Sequence, residues 1–276
     1  MTSTPNAEQQ ARGAAEDFRR VHRLGVQPLG DLVALIEQTT GYDVAILDAA
    51  ADEHGLTMCD PARGVVFVGV ARSRNPMRQR STLAHELGHL VFEDWGETVE
   101  FSARSPEEIR ADAFARHLLA PIEGVKELLG DRVAVSEADL SAVVQRFLVS
   151  PAIAGIVLRD SGYVSSATAK EWIKLSTPHL ATRYGWTDQY SALQDDAYRL
   201  RPPQLLLTRA IAGYAEGVVS AQTIATLRGV SLEGIISELE EAGIVPILRD
   251  VPDIDVEDLP AVEIDLSDLE DEDPSS

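Results

Sequence analysis

The chain has 276 residues, 45% of them apolar and 25% charged, with a formal net charge of −21 and a single cysteine. That length can bury one good core and a smaller second one, and the composition is that of a folded globular chain rather than a disordered one. The acidic balance argues against tight nucleic-acid binding, which draws its affinity from Lys and Arg on phosphates, and one cysteine excludes a disulfide framework or a Cys-built zinc cluster.

The first residues lack an apolar signal region, and no later run approaches the length needed to span a bilayer, so a cytoplasmic location is the expectation. Residues 7–24 read as a helix with Ala11, Ala14, Ala15, Phe18, Val21 and His22 on one side, ended by Gly25. A second helix is expected from Pro28 to Thr39, with Leu32, Leu35 and Ile36 inward and Gly41 as its stop. The period then changes to that of short strands over 43–47, 55–59 and 64–70, with Asp60–Gly64 as a hairpin connection. These predict a small, mostly antiparallel sheet, with Cys59 as a small core residue.

The next helix is expected from Pro76 to Phe92, its core face made by Leu83, Leu87, Leu90 and Val91. Gly88 in its middle costs about 1 kcal/mol relative to Ala, which implies close approach of a neighbouring backbone. After an acidic loop, Ser105-Pro106-Glu107-Glu108 starts a helix as N-cap, N1 and a capping-box Glu at N3, and this helix stops before Pro121. From there the chain reads as helical. Ser136–Phe147 and Pro151–Asp160 have a helix-turn-helix shape, 162–201 has no clear pattern, and helices follow at 202–214, 220–227 and 231–242. Residues 250–276 hold twelve Asp or Glu and no Lys or Arg, which predicts a solvated, disordered tail.

The chemistry sits in the Pro76–Phe92 helix as His85-Glu86-Leu87-Gly88-His89. Residues four apart share a helix face, so two neutral imidazoles can hold Zn²⁺, and Glu86 beside them is placed to take a proton from a water that the metal activates. On the following helix Glu108 and Asp112 share a face with Ala111, Ala115, Leu118 and Leu119, which marks that face as inward. Two inward carboxylates are costly unless engaged, so Glu108 is the expected third ligand and Asp112 the partner of a ligating imidazole, with Glu107 as the alternative ligand. Two His and one carboxylate leave a coordination position open, as a catalytic zinc site requires. Tyr163, His179 and Tyr184 are candidate donors to the oxyanion of a peptide hydrolysis.

The run Ser81–Leu90 with its His-Glu-x-x-His, followed by Glu108-x-x-Ala111-Asp112-x-Phe114-Ala115-x-x-Leu118-Leu119-Ala120-Pro121, resembles the ImmA/IrrE family of metallopeptidases over roughly residues 28–162. The resemblance implies a zincin-like, gluzincin-type fold in which His85, His89 and Glu108 bind zinc, and a protein substrate, typically a helix-turn-helix repressor whose cleavage induces mobile-element or stress genes. Ala120 stands where the family often has Met, and residues 165–276 match no sensory domain.

The expected class is therefore α+β. A zincin-like domain over 1–124 carries the small antiparallel sheet and the motif helix; a helix-turn-helix-like region over 125–164, a helical region over 165–249 and the acidic tail follow. The competing reading is a non-proteolytic regulator or DNA-binding protein using its helix-turn-helix-like helices. Isolated Arg159 and Arg228 on those helices speak against nucleic acid, and an intact Glu86 speaks against a pure binder.

Overall fold

The computed structural model describes residues 6–49, 55–60, 62, 64–94 and 105–247. The acidic loop between the two site helices and the acidic tail fall largely outside them. The order of elements is α1 (Ala7–Val21), α2 (Leu32–Thr40), β1 (Asp43–Leu47), β2 (Leu56–Asp60), β3 (Val65–Ala71), α3 (Pro76–Phe92) and α4 (Pro106–Leu119). Nine further helices follow among the described residues: α5 (Ile122–Leu129), α6 (Glu137–Phe147), α7 (Pro151–Asp160), α8 (Ser166–Trp172), α9 (Thr177–Arg183), α10 (Thr187–Ala197), α11 (Gln204–Ala215), α12 (Ala221–Arg228) and α13 (Leu232–Glu241).

The α+β class holds, but the sheet is mixed rather than mostly antiparallel. Its order is β1-β3-β2, with β1 parallel to β3 and β2 antiparallel to β3. The Asp60–Gly64 turn fixes only the β2–β3 hairpin; nothing in a period-2 pattern states the direction of β1. The outer edge of β1 is closed by Arg201, which exchanges backbone hydrogen bonds with Ile46 at 2.8 and 3.1 Å. Among the described strands β2 is an edge, and the expectation for Cys59 is corrected, since it is exposed on this strand.

Alternation along the strands puts Val44, Ile46, Val66, Val68 and Val70 on one buried face, against the helices. Helix α3 runs beneath that face and α4 returns alongside α3. Their close approach is what Gly88 allows: a Cβ there would lie 3.2 Å from the Ala111 Cα and 3.2 Å from the Phe114 ring. Helix α1 covers α4 from the other side through Ala11, Ala15 and Phe18, the last meeting Phe114 edge-on at 6.4 Å. Phe114 is fully buried, so its truncation to Ala costs about 3–5 kcal/mol.

Boundaries differ from the sequence reading where caps decide them. Helix α1 stops at Val21 because Arg23 and Gly25 both take left-handed backbone, and α2 begins at Leu32 because the Asp31 side chain accepts from Ala34 N at 3.1 Å. Val21 and Val91 are exposed rather than inward, since each lies in the last turn of its helix, past the packed neighbour. Conversely Arg19, which reads as polar surface, is buried. Its guanidinium donates to the carbonyls of Leu118, Gly25 and Gln27, tying the end of α4 to the turn after α1, and burial brings its pKa down to about 10.

The 162–201 stretch forms α8, α9 and α10, short helices capped by Ser165 and Ser176 and pinned by Trp172 and Trp186. One core cluster extends from Ala11 to Tyr190, and a separate small cluster of Ala210, Ile224, Ala225, Ile235 and Leu239 holds α11–α13 together. Helices α6 and α7 meet at a bend of 111° across a three-residue turn, the helix-turn-helix shape expected, with Leu148 left-handed at the corner. Among the described residues no single helix is long and apolar enough to cross a membrane; α6 and α7 qualify only as this bent pair, and their apolar residues lie in the core.

Candidate metal centre

Helix α3 starts from the Asn75 cap and Pro76 and holds His85 and His89 one turn apart, ring centroids separated by 4.7 Å. Their Nε2 atoms lie 3.0 Å from each other. Helix α4 brings the Glu108 carboxylate to both: Oε2 is 3.3 Å from His85 Nε2, and Oε1 is 3.4 Å from His89 Nε2. Glu108 therefore does not complete a capping box. Ser105 Oγ accepts from Glu108 N at 3.2 Å, but the Glu108 side chain is turned to the imidazoles. The three residues have ligand atoms within 4.8 Å of one another, and Glu107 is not part of this group.

The other face of each imidazole is held by a carboxylate. Asp112 Oδ1 is 2.8 Å from His85 Nδ1, and Asp94 Oδ2 is 3.3 Å from His89 Nδ1. A carboxylate can only accept, so each Nδ1 carries the proton and each Nε2 presents its lone pair. Two imidazole lone pairs and a carboxylate thus converge without a proton between them. Two lone pairs and a negative carboxylate repel in that arrangement and a cation relieves it, so the group fits a divalent metal ion by the chemistry of its donors. At His85 burial pushes the pKa down, but the Asp112 hydrogen bond and the charges of Asp112, Glu108 and Glu86 outweigh it and leave the pKa raised, as expected where cations are favoured.

The two carboxylate supports are unequal. Asp112 is expected from the sequence to face the apolar interior; instead its side chain is 74% exposed, at the rim, although it does reach His85. Asp94 is 6% exposed and ion-paired with Arg110, whose guanidinium also lies over the Phe92 ring at 4.2 Å. Asp94 reaches back because Glu93 takes left-handed backbone (φ 56°), which also lets Asp94 N donate to His89 O at 3.0 Å. Sequence reading misses Asp94 and Arg110: in an acidic stretch, only the turn at Glu93 distinguishes this Asp from its neighbours.

Glu86 is buried and points to β2, where Thr57 Oγ1 donates to its Oε2 at 2.7 Å. A Cβ on Gly55 would fall 2.4 Å from Glu86 Oε1, so a side chain there would push the Glu86 carboxylate out of its present position. Neither Gly55 nor Thr57 is foreseen from the sequence, since nothing local links an edge strand to a helix 29 residues later. The proposed oxyanion donors are engaged elsewhere: Tyr163 donates to Gly130 O at 2.7 Å, Tyr184 donates to Glu137 Oε1 at 3.3 Å, and His179 Nε2 lies 3.9 Å from the same Glu137 atom.

Residues 40–159 match the family model described as the IrrE N-terminal-like domain, Peptidase M78. This stretch belongs to the Peptidase M78 family. The match begins at the end of α2, takes in the whole sheet, α3 and α4, and ends in α7, so it contains every residue of the metal centre described above. It agrees with the ImmA/IrrE resemblance carried by the His85–His89 and Glu108–Pro121 runs. The M78 domain makes a metallopeptidase-type function the frame for the site, and His85, His89 and Glu108 are the residues able to hold its metal. No curated protein matches the chain.

Proposed function

We propose that the protein is a zinc-dependent endopeptidase that cleaves another protein in the cytoplasm. The observation that carries this reading is the convergence of His85 Nε2, His89 Nε2 and the Glu108 carboxylate beside a buried Glu86 that touches an open edge strand. His85, His89 and Glu108 would hold a divalent ion, which would supply the Lewis acidity that polarises a scissile carbonyl and acidifies an attacking water. Glu86 accepts the proton of that water and returns it to the leaving amine. Thr57 holds one carboxylate oxygen of Glu86, fixing which lone pairs remain for the proton, and Asp112 and Asp94 keep both imidazoles in the ligating tautomer.

An extended peptide suits this site. Strand β2 pairs only with β3 among the described strands, so its other edge presents backbone donors and acceptors that a substrate strand can join, next to Thr57 and Glu86. The substrate that the ImmA/IrrE resemblance favours is a helix-turn-helix repressor whose removal induces mobile-element or stress genes, and the acidic chain suits a basic DNA-binding partner. Nucleic acid itself is not proposed as a ligand. The apolar residues of α6 and α7 are spent in the core, and Arg159 on α7 is paired to Asp160 at 2.6 Å.

The test is Glu86→Gln. Cleavage of a co-expressed candidate repressor should fall by at least about a thousandfold, the loss of a general base together with its positioning, while metal stoichiometry stays that of the parent. Cleavage at the parental rate by this variant would end the mechanism.

A further inference from the structure

Between the large hydrophobic cluster and the small one lies a cleft of about 690 Å³. Its walls come from α2, β1, α3, the α6–α7 turn, α10 and α11, and every lining residue is among those described. Leu83, Leu148 and Leu193 line it from the large cluster, Leu207 from the small one, and Leu200 from the segment joining them. The wall is fixed by hydrogen bonds. Ala197 O accepts from Ser73 N at 3.1 Å and from Gln79 Nε2 at 2.8 Å, and the Arg201 backbone is bonded to Ile46. A cavity of this size with leucine walls and a few polar groups is of the kind that holds a small organic molecule. None of its lining residues belongs to the metal centre.

The polar groups narrow the choice of molecule, and most of them are already matched. Asp31 pairs with Arg201 at 2.7 Å, and Arg228 pairs with Glu238. Glu37 Oε1 accepts from Gln204 N at 2.9 Å and from Val44 N at 3.4 Å. Arg199 and Asp196 are both exposed and make no ion pair with a described residue, and their opposite charges offset each other. Arg80 is left. Of its five N–H donors one goes to Gly30 O at 2.6 Å and one to Leu29 O at 2.7 Å, while Nε is buried with no partner. No carboxylate of the described residues pairs with it; burial brings its pKa down to about 10, with the charge of Asp31 opposing. A cation bonded only to carbonyls in such a wall is costly. An anion in the cleft relieves that cost, and a second cation adds to it.

We propose that this cleft binds a small amphiphile with an anionic head, a carboxylate or a phosphate, held by the remaining N–H donors of Arg80 with its apolar body among the leucines. Arg80 and Leu83 stand on α3, the helix that also carries His85 and His89, but the cleft and the metal centre share no residue. Binding there does not depend on a metal or on peptide cleavage.

Isothermal titration calorimetry of the full-length protein with eight-carbon probes tests this. Octanoate or octyl phosphate should bind saturably, about tenfold or more tighter than octanol or octylammonium, and the tighter of the two anions names the head group. Arg80→Met should weaken that anion about tenfold or more. Leu200→Glu places a carboxylate in the cleft at a residue outside both core clusters, and should weaken the anion as strongly while octylammonium gains. Circular dichroism checks that each variant is folded; if Arg80→Met is not, Leu200→Glu decides alone. Octanol or octylammonium binding the parent as tightly as the anions overturns the proposal. So does parental affinity for the anion in either folded variant, or no binding of either anion at millimolar concentration. A tenfold gain in anion affinity on removing residues 250–276 also overturns it, by naming the acidic tail as the occupant.

Discussion

At its N-terminal end α4 offers Glu108 to two imidazoles; at its C-terminal end it offers Arg116 and His117 to Glu8 of α1. Both clusters pair a carboxylate with imidazole between α4 and a neighbouring helix, and both are partly buried. They differ in where the protons are. Arg116 donates to both Glu8 oxygens at 2.6 Å, and His117 Nε2 lies 2.7 Å from Glu8 Oε1, so every acceptor there faces a donor. Around His85 and His89 the outward carboxylates take the ring protons, and the inward atoms are all acceptors. In the first cluster both Glu8 oxygens are satisfied by the protein's own donors, although Arg116 Nε finds no partner, and the second is a group that could hold a cation. Composition alone does not distinguish them; the proton count does.

The largest expected break of this contrast is Glu108→Ala. Metal affinity should fall by more than the roughly 100-fold that removing an outer hydrogen-bond partner costs, since a ligand itself is lost. Metal analysis after dialysis reads this out, with Glu107→Ala and Glu8→Ala as controls that keep parental metal. Full metal in Glu108→Ala would assign the third ligand elsewhere.

The two supports of the imidazoles sharpen the comparison within the metal centre. Asp94→Asn should weaken metal binding by about 10–100-fold, because the buried Asp94–Arg110 pair sets the tautomer and angle of His89. Asp112→Asn should cost less, because water can replace a carboxylate that is mostly exposed. Competition with a chromophoric chelator measures both. The reverse ranking would mean that burial does not decide which support matters.

Much of this was legible in the sequence, for physical reasons that can be named. The shared face of His85 and His89 follows from helical period, and the starts of α3 and α4 from Pro76 and from Ser105 and Pro106, while Glu108 reaches the imidazoles from a face that, at Asp112, lies at the rim rather than inward. What was not legible depends on tertiary approach. The parallel partner of β1, the edge position of Cys59 and the reach of Thr57 to Glu86 arise between elements far apart in the chain. The Glu8 cluster is likewise a contact across 108 or more residues between side chains that each read as helix surface.

The C-terminal cluster of α4 should answer in stability and not in metal. Glu8→Ala leaves the Arg116 guanidinium and the buried His117 ring without their acceptor, which costs about 1 kcal/mol, near the low end because Glu8 is half exposed. Thermal melts of parent and variant, both metal-loaded, measure it; an equal loss of metal would show that the two ends of α4 are coupled.

The smallest effect is the pH dependence of the same cluster, and its sign is fixed. For Glu8, burial raises the pKa, but the Arg116 and His117 hydrogen bonds outweigh it and leave the carboxyl below its usual value. For His117, burial dominates and lowers the pKa below 6.5, with the Glu8 hydrogen bond opposing. In both cases the unfolded chain takes up a proton before the folded one does as pH falls. The stabilisation is full above the ordinary value of each group and is lost on acidification, first by His117 as pH drops below 6.5 and then by Glu8 in the carboxylate range. Melting temperatures of chelator-treated protein, in which loss of metal cannot contribute, should therefore fall between about pH 7 and pH 5. His117→Gln retains a donor for Glu8 and removes the titration, so it should flatten that slope; a slope unchanged in the variant would place the acid sensitivity outside this cluster.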